Sequence, residues 1–166
     1  MRVPAWTGLV AGLIGSYPNC AQPAPAVSSS GQYERLPVDS LHRNGMSGLA
    51  KPTEVVVRSP DEWSTWWSRV VSNYLTRKPP LPAVDFTTHM VVVVGTGGHS
   101  LAGFSVSADS AIVSNGRLTV YLTDGGPGSG CVSGTGPSRP VAVVRVPRRS
   151  EPVLFKTHTV RGHCGS

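Results

Sequence analysis

The longest unbroken apolar run in the chain is Met90-Val91-Val92-Val93-Val94, and no polar residue interrupts it. Such a dense β-branched run favours extended backbone and predicts a strand buried on both faces. A different pattern follows it. Phe104, Val106 and Ala108 alternate with Ser105, Ser107 and Asp109, the period of two expected of a strand with one wet face. Ala111-Ile112-Val113 continues that strand past a predicted bulge at Asp109-Ser110. Asn115-Gly116 then supplies the two residues that tolerate positive φ in a tight hairpin turn, and Leu118, Val120 and Leu122 alternate on the return. With the run at Met90 this predicts an antiparallel meander of at least three strands. Thr53–Arg58, Val141–Val146 and Val153–Thr159 read as further strands, and the last two are expected to pair across the basic turn Pro147-Arg148-Arg149-Ser150. The segment from Tyr33 to Gly48 is mixed, with Leu36, Val38, Leu41 and Met46 as edge-strand or loop anchors.

One segment has helical periodicity. Ser59-Pro60-Asp61-Glu62 places a capping serine, a proline at the first helical position and an acidic first turn. Trp63, Trp66, Trp67, Val70, Val71, Tyr74 and Leu75 then recur on one face. At this spacing an aromatic stripe is core rather than a sugar or cofactor platform, so Trp66→Ala is expected to cost about 3 to 5 kcal/mol. Pro79, Pro80 and Pro82 carry the chain extended from the helix toward the next strand. The predicted fold is α+β: a mostly antiparallel sheet, sandwich- or roll-like, with one amphipathic helix packed on it.

Composition agrees with a turn-rich β protein, with 19 Gly and 15 Pro in 166 residues and only 14% charged. The net charge of +6 does not indicate nucleic acid, because the basic residues form no run interleaved with aromatics. Their densest group, Arg139, Arg145, Arg148, Arg149, Lys156 and Arg161, is expected on a solvated face, or in contact with an acidic partner or anionic envelope surface. Residues 1–21 combine Arg2 with a short apolar stretch and predict a secretory or lipoprotein signal, hence an extracytoplasmic location. Residues 22–35 read as a Pro/Ala/Ser-rich flexible linker and 36–166 as a single domain. Cys20 stands where a lipidated cysteine and its membrane tether would stand, although Tyr17-Pro18-Asn19 make a poor lipobox. The other two cysteines predict a bridge from Cys131 to Cys164 that pins a Gly-rich loop to the chain end. The rival, a metal site of His158, His163 and Cys164, matches no common zinc spacing.

The glycines after the apolar run invite a catalytic reading. Gly98-His99-Ser100-Leu101-Ala102 resembles a nucleophile elbow, and Asp124 with His158 or His163 follows in the order of an α/β-hydrolase. An elbow needs a helix directly after the serine, and here a strand pattern follows. Gly95-Thr96-Gly97-Gly98 has no third glycine in the register of a dinucleotide or phosphate loop, no following helix and no P-loop lysine. Asp124 to Pro140 has almost nothing to bury, and a loop of that length in a small domain is usually functional or mobile.

Taken in order, several pieces resemble the C-terminal domain of the PrcB family, accessory subunits of bacterial surface protease complexes. They are Ser47-Gly48, the Ser-Pro-Asp-Glu-Trp helix start, Val84-Asp85-Phe86 before the valine run, Gly103-Phe104-Ser105-Val106, Gly126 to Cys131, and Pro140 before Val143 to Pro147. The resemblance spans about Ser47 to Phe155. It departs at Leu101-Ala102 and at Val141, where the family more often has Thr-Gly and an aromatic. It implies an exported, non-catalytic module without cofactor or metal that binds or stabilises a partner protein, an exported protease among the candidates. The residues expected to contact that partner are Gly97, Gly98, Gly103, Phe104, Gly126, Ser129, Arg139 and Pro140. Two alternatives stand beside it: a serine hydrolase using Ser100, and a chagasin-like protease inhibitor, to whose wedge loops 97–103, 124–136 and 138–140 bear a faint similarity.

Overall fold

The computed structural model describes residues 33–131 and 134–163. Cys20, Cys164, the signal and residues 22–32 of the expected linker lie outside them, while Glu34 and Arg35, expected as the linker's end, stand in a strand. Among the described residues ten strands and one helix follow in order: β1 (Glu34–Leu36), β2 (Asp39–Asn44), β3 (Pro52–Val57), α1 (Pro60–Val70), β4 (His89–Thr96), β5 (His99–Leu101), β6 (Ser105–Ser114), β7 (Arg117–Pro127), β8 (Thr135–Ser138), β9 (Val141–Pro147) and β10 (Val153–Gly162). They form two four-stranded sheets, β1-β6-β7-β10 and β2-β9-β4-β3, and a small ribbon of β5 with β8.

The two sheets face each other and α1 covers the far side of the second. Met90, Val92 and Val94 of β4 and Ala142, Val144 and Val146 of β9 meet Val106, Leu118, Val120 and Leu122 of the first sheet. The intervening Val91, Val93, Val141 and Val143 pack on Trp63, Trp67 and Val70 of the helix. Alternate side chains of one strand thus enter two different cores, which is why the sequence shows no alternation there. The α+β architecture read from the sequence stands, as a three-layer arrangement.

The helix start is held as its sequence indicates. Glu62 N donates to Ser59 Oγ at 3.4 Å, and the Glu62 carboxylate accepts from the Arg58 amide at 3.0 Å, a reciprocal pair of bonds at an otherwise open helix end. That amide holds the Glu62 carboxyl below its ordinary pKa. The proline segment returns over the helix, where Trp63 Nε1 donates to the Pro82 carbonyl and Trp67 Nε1 to the Pro79 carbonyl.

Four expectations are corrected. The helix stops at Val70, so Leu75 falls beyond it and is 97% exposed. Trp66 is half-buried, with the Arg69 guanidinium 4.8 Å from its ring, at the border of the core rather than in it. The predicted meander stops at two strands, because β4 belongs to the sheet opposite the β6–β7 hairpin. Finally, β9 and β10 do not pair. Residues 148–152 cross between the sheets, and β10 runs parallel to β7 along the edge of the first. A turn of that length looks like a hairpin in sequence, but each strand has an apolar face committed to a different partner. The bulge is present as the register shift between Ala108 and Ser110, and the hairpin turn has Asn115 at φ 51° and Gly116 at φ 68°.

Candidate functional site: the glycine-rich end of the sandwich

The glycine-rich segments converge at one end of the sandwich, where β4, β7 and β10 finish and β6 and β9 begin. Their backbone is closely tied. Gly97 has φ 82°, and a Cβ there would lie 2.9 Å from both the ring Cδ and the nitrogen of Pro52, so a side chain is excluded twice over. Gly98 N donates to the Ala50 carbonyl at 3.2 Å. Arg139 N donates to the Gly45 carbonyl at 2.7 Å, and its own carbonyl accepts from Ser47 N and Ser47 Oγ. Ser47 is fully buried and also takes the Leu49 amide on its hydroxyl. A Cβ at neighbouring Gly48 would meet the Arg69 carbonyl at 2.3 Å. The Ser47-Gly48 pair is thus the point where the helix end, the 45–52 turn and the start of β9 are bonded together.

Beside this seam lies a stacked array. The His99 ring lies over Phe104 with centroids 3.9 Å apart and planes 7° from parallel, and its Nε2 is 2.9 Å from Thr96 Oγ1. The Arg161 guanidinium carbon lies 5.9 Å from the Phe104 ring centre, and Arg161 donates to the Asp124 carboxylate at 3.2 Å. Gly126 makes room for the stack, since a Cβ there would come within 2.8 Å of Phe104. The β5–β8 ribbon closes the end through Ser138 Oγ, which donates to the Leu101 carbonyl at 2.7 Å.

Of the expected contact residues, Gly97, Gly98, Arg139 and Pro140 form the bonded seam, while Gly103, Phe104 and Gly126 shape the stack. Ser129 is exposed in the turn after β7. Pro140 is buried and its carbonyl accepts the Thr96 amide, so it supports the surface rather than forming it. The loop expected from Asp124 to Pro140 is largely strand, with β7 extending to Pro127 and β8 resuming at Thr135. Loops 97–103, 124–136 and 138–140 share this end of the fold. Sequence reasoning missed His99 as a stacking partner of Phe104, and it named Arg161 only as one of a basic group, without its place beside Phe104 and Asp124. The Asp124–Arg161 contact depends on the parallel β7–β10 pairing, which leaves no local signal.

A Ser100–Asp124–His158 triad is not assembled, and His163, the other candidate base, is exposed just past the end of β10. Ser100 is exposed on β5, and Asp124 is bonded to Arg161. His158 lies between Thr157, which lines the space between the sheets, and Thr159, so it points from the opposite face of its sheet. Among the described residues no three His, Cys, Asp or Glu side chains are grouped to hold a metal ion. Several cations of the basic group have local partners: Arg145 with Asp39, Arg149 with Glu34, and Arg148 with the carbonyls of Arg58 and Phe86. The Cys131 sulfur lies 3.6 Å from the Gly162 carbonyl, which brings its loop to the end of β10, while Cys164 is outside the described residues.

Comparison with known families gives a match to the model described as PrcB C-terminal over residues 90–147. The matched stretch runs from β4 to β9 and includes the Phe104 stack, Gly126 and the Arg139 seam. It stops short of β10, which supplies Arg161. No curated protein and no solved structure matches the chain. Among the described residues no helix is long and apolar enough to cross a membrane.

Proposed function

We propose that this chain is an exported, non-catalytic accessory subunit that binds a protease of the cell envelope through the glycine-rich end of the sandwich. The family match supports an accessory role in a protease complex. The observation that carries the choice of surface is the exposure of Leu101 (46%) at the end of β5 and of Met46 (41%) where it bridges to Arg139, on backbone that is bonded at this end. Apolar side chains held on fixed backbone lose little conformational freedom when a partner covers them, which favours binding. A Cys131–Cys164 bridge would fix the neighbouring turn to the end of β10, and the short sulfur-to-Gly162 approach is consistent with it. The signal over residues 1–21 and a tether through Cys20 complete this reading as an envelope protein.

The test is affinity capture from the native envelope with three versions of the full chain. Wild type and Arg117→Glu, altered at the opposite end, are expected to retain an exported protease, and Leu101→Asp to lose it. Equal capture by all three would place the interface elsewhere. A fluorophosphonate probe that labels wild type but not Ser100→Ala would replace this reading with a serine hydrolase.

A further inference from the structure

Between the two sheets, where the edges of β3 and β10 face each other, a cleft of about 410 Å³ opens beside the stacked array. Its floor is apolar, from Val94, Val106 and Leu122. Its polar groups are the carboxylates of Asp124 and Glu54 and the hydroxyls of Thr96 and Thr157, and no Lys, Arg or His lines it. Strand register explains the arrangement. Glu54 pairs with Val94, and Asp124 pairs with Val106, so both carboxylates project from the faces that form the floor. Asp124 uses one oxygen, Oδ2, for Arg161 at the rim. Its other oxygen, Oδ1, is buried and meets no donor of the protein. A buried carboxylate oxygen without a donor is costly, and a charged donor satisfies it best.

We propose that this cleft binds an alkylammonium group, its methylene stem lying on Val94, Val106 and Leu122 and its charged end donating to Asp124 Oδ1. The threonine hydroxyls accept the remaining ammonium protons, and Glu54 adds negative charge at the mouth. The same chemistry is offered by a free alkylamine and by a lysine side chain of an extended peptide segment. The site does not depend on how the glycine-rich end is used, because Leu101 and Met46 are not among its lining residues.

Amide resonances of the folded full chain, titrated with n-butylammonium chloride, acetyl-Gly-Lys-Gly-amide or its norleucine analogue, test this. The two ammonium probes are expected to shift Val94 to Thr96, Leu122 to Asp124 and Thr157 with saturation, weakening as salt rises. The norleucine peptide is expected to leave them unmoved. Asp124→Asn is expected to weaken binding by about tenfold or more. Because that change also disturbs Arg161, Thr157→Val and Glu54→Gln serve as independent variants, each expected to weaken binding several-fold. Tighter binding of the lysine peptide than of n-butylammonium would identify a peptide source, and the reverse a free amine. Absence of saturable shifts, equal response to the norleucine peptide, or unchanged affinity in all three variants would overturn the proposal.

Discussion

The two four-stranded sheets are built from similar residues but stand in different surroundings. The β2-β9-β4-β3 sheet has the opposing sheet on one face and α1 on the other, so β4 and β9 are valine-rich and buried throughout their centres. The β1-β6-β7-β10 sheet buries one face only, and its other face carries Ser110, Tyr121, Lys156 and His158. The buried centre of β4, Met90 to Val94, contributes no polar side chain. Where the first sheet ends, its inward face changes from Val106 and Leu122 to Asp124, and the unmatched carboxylate oxygen appears there. Function is to be sought where layers end, since between them every position is needed for packing.

The most severe test of that contrast is substitution in the two layers. Trp63 is nearly fully buried in the helix core and donates to Pro82, so Trp63→Ala is expected to cost about 3 to 5 kcal/mol in denaturant titration. Tyr121, on the open face, is expected to cost less than about 1 kcal/mol as Tyr121→Ala. Trp66→Ala should fall between them, below the cost expected from the helical stripe alone, because its ring is only half-covered. Equal losses at Trp63 and Tyr121 would mean that the helix layer adds little to the core.

Next in size is the bridge. In the chain-entropy model, closing a loop of about 34 residues between Cys131 and Cys164 stabilises by about 3 to 4 kcal/mol before any strain is subtracted. Reductant is therefore expected to lower the melting temperature of wild type and to leave Cys131→Ser unaffected. Equal thiol labelling with and without reductant would remove the bridge.

Backbone substitution compares the two ends of the sandwich. At the hairpin end, Gly116→Ala meets no atom and carries only the strain of φ 68°, about 1 kcal/mol. At the glycine-rich end, Gly97→Ala carries φ 82° and a collision with Pro52, and is expected to cost about 2 to 3 kcal/mol. A loss at Gly97 no larger than at Gly116 would show that the seam yields easily and that its turns are not held in place for a partner.

How much of this was legible in the sequence depends on how local each cause is. The helix cap, the bulge, the Asn115-Gly116 turn and the doubly buried strand follow from residues adjacent in the chain, and all were readable. The crossing of residues 148–152 was not, because a short basic turn serves a hairpin and a change of sheet equally well. Misreading that turn also hid Arg161, whose partner Asp124 lies across a parallel pairing. The glycine-rich segments do converge at one end of the molecule, yet the residues expected to make contact there are largely those that shape the backbone. Of the side chains that line the proposed cleft, Thr157 and Glu54 belong to no sequence motif.

The smallest expected effect tests the helix side of the contrast by acidity. His42 on β2 stands edge-on to Trp67, with ring centroids 5.2 Å apart, and its Nε2 is 3.4 Å from the Tyr74 hydroxyl. Burial lowers its pKa from the ordinary 6.5, because the charged imidazolium is poorly solvated there. The unfolded chain then binds this proton more readily than the folded one. His42 therefore adds a stability that is complete above about pH 6.5 and declines as pH falls toward its folded pKa. His42→Gln is expected to flatten this part of the stability profile, measured by denaturant midpoints between pH 7 and 5. Asp85 affects a lower range. The Thr87 hydroxyl and amide and the Thr88 hydroxyl hold its carboxyl below the usual carboxylate value, so its contribution is present above about pH 3.8 and is lost only below that. A decline between pH 7 and 5 that persists in His42→Gln would mean that the burial of this imidazole against the helix is not what sets the slope.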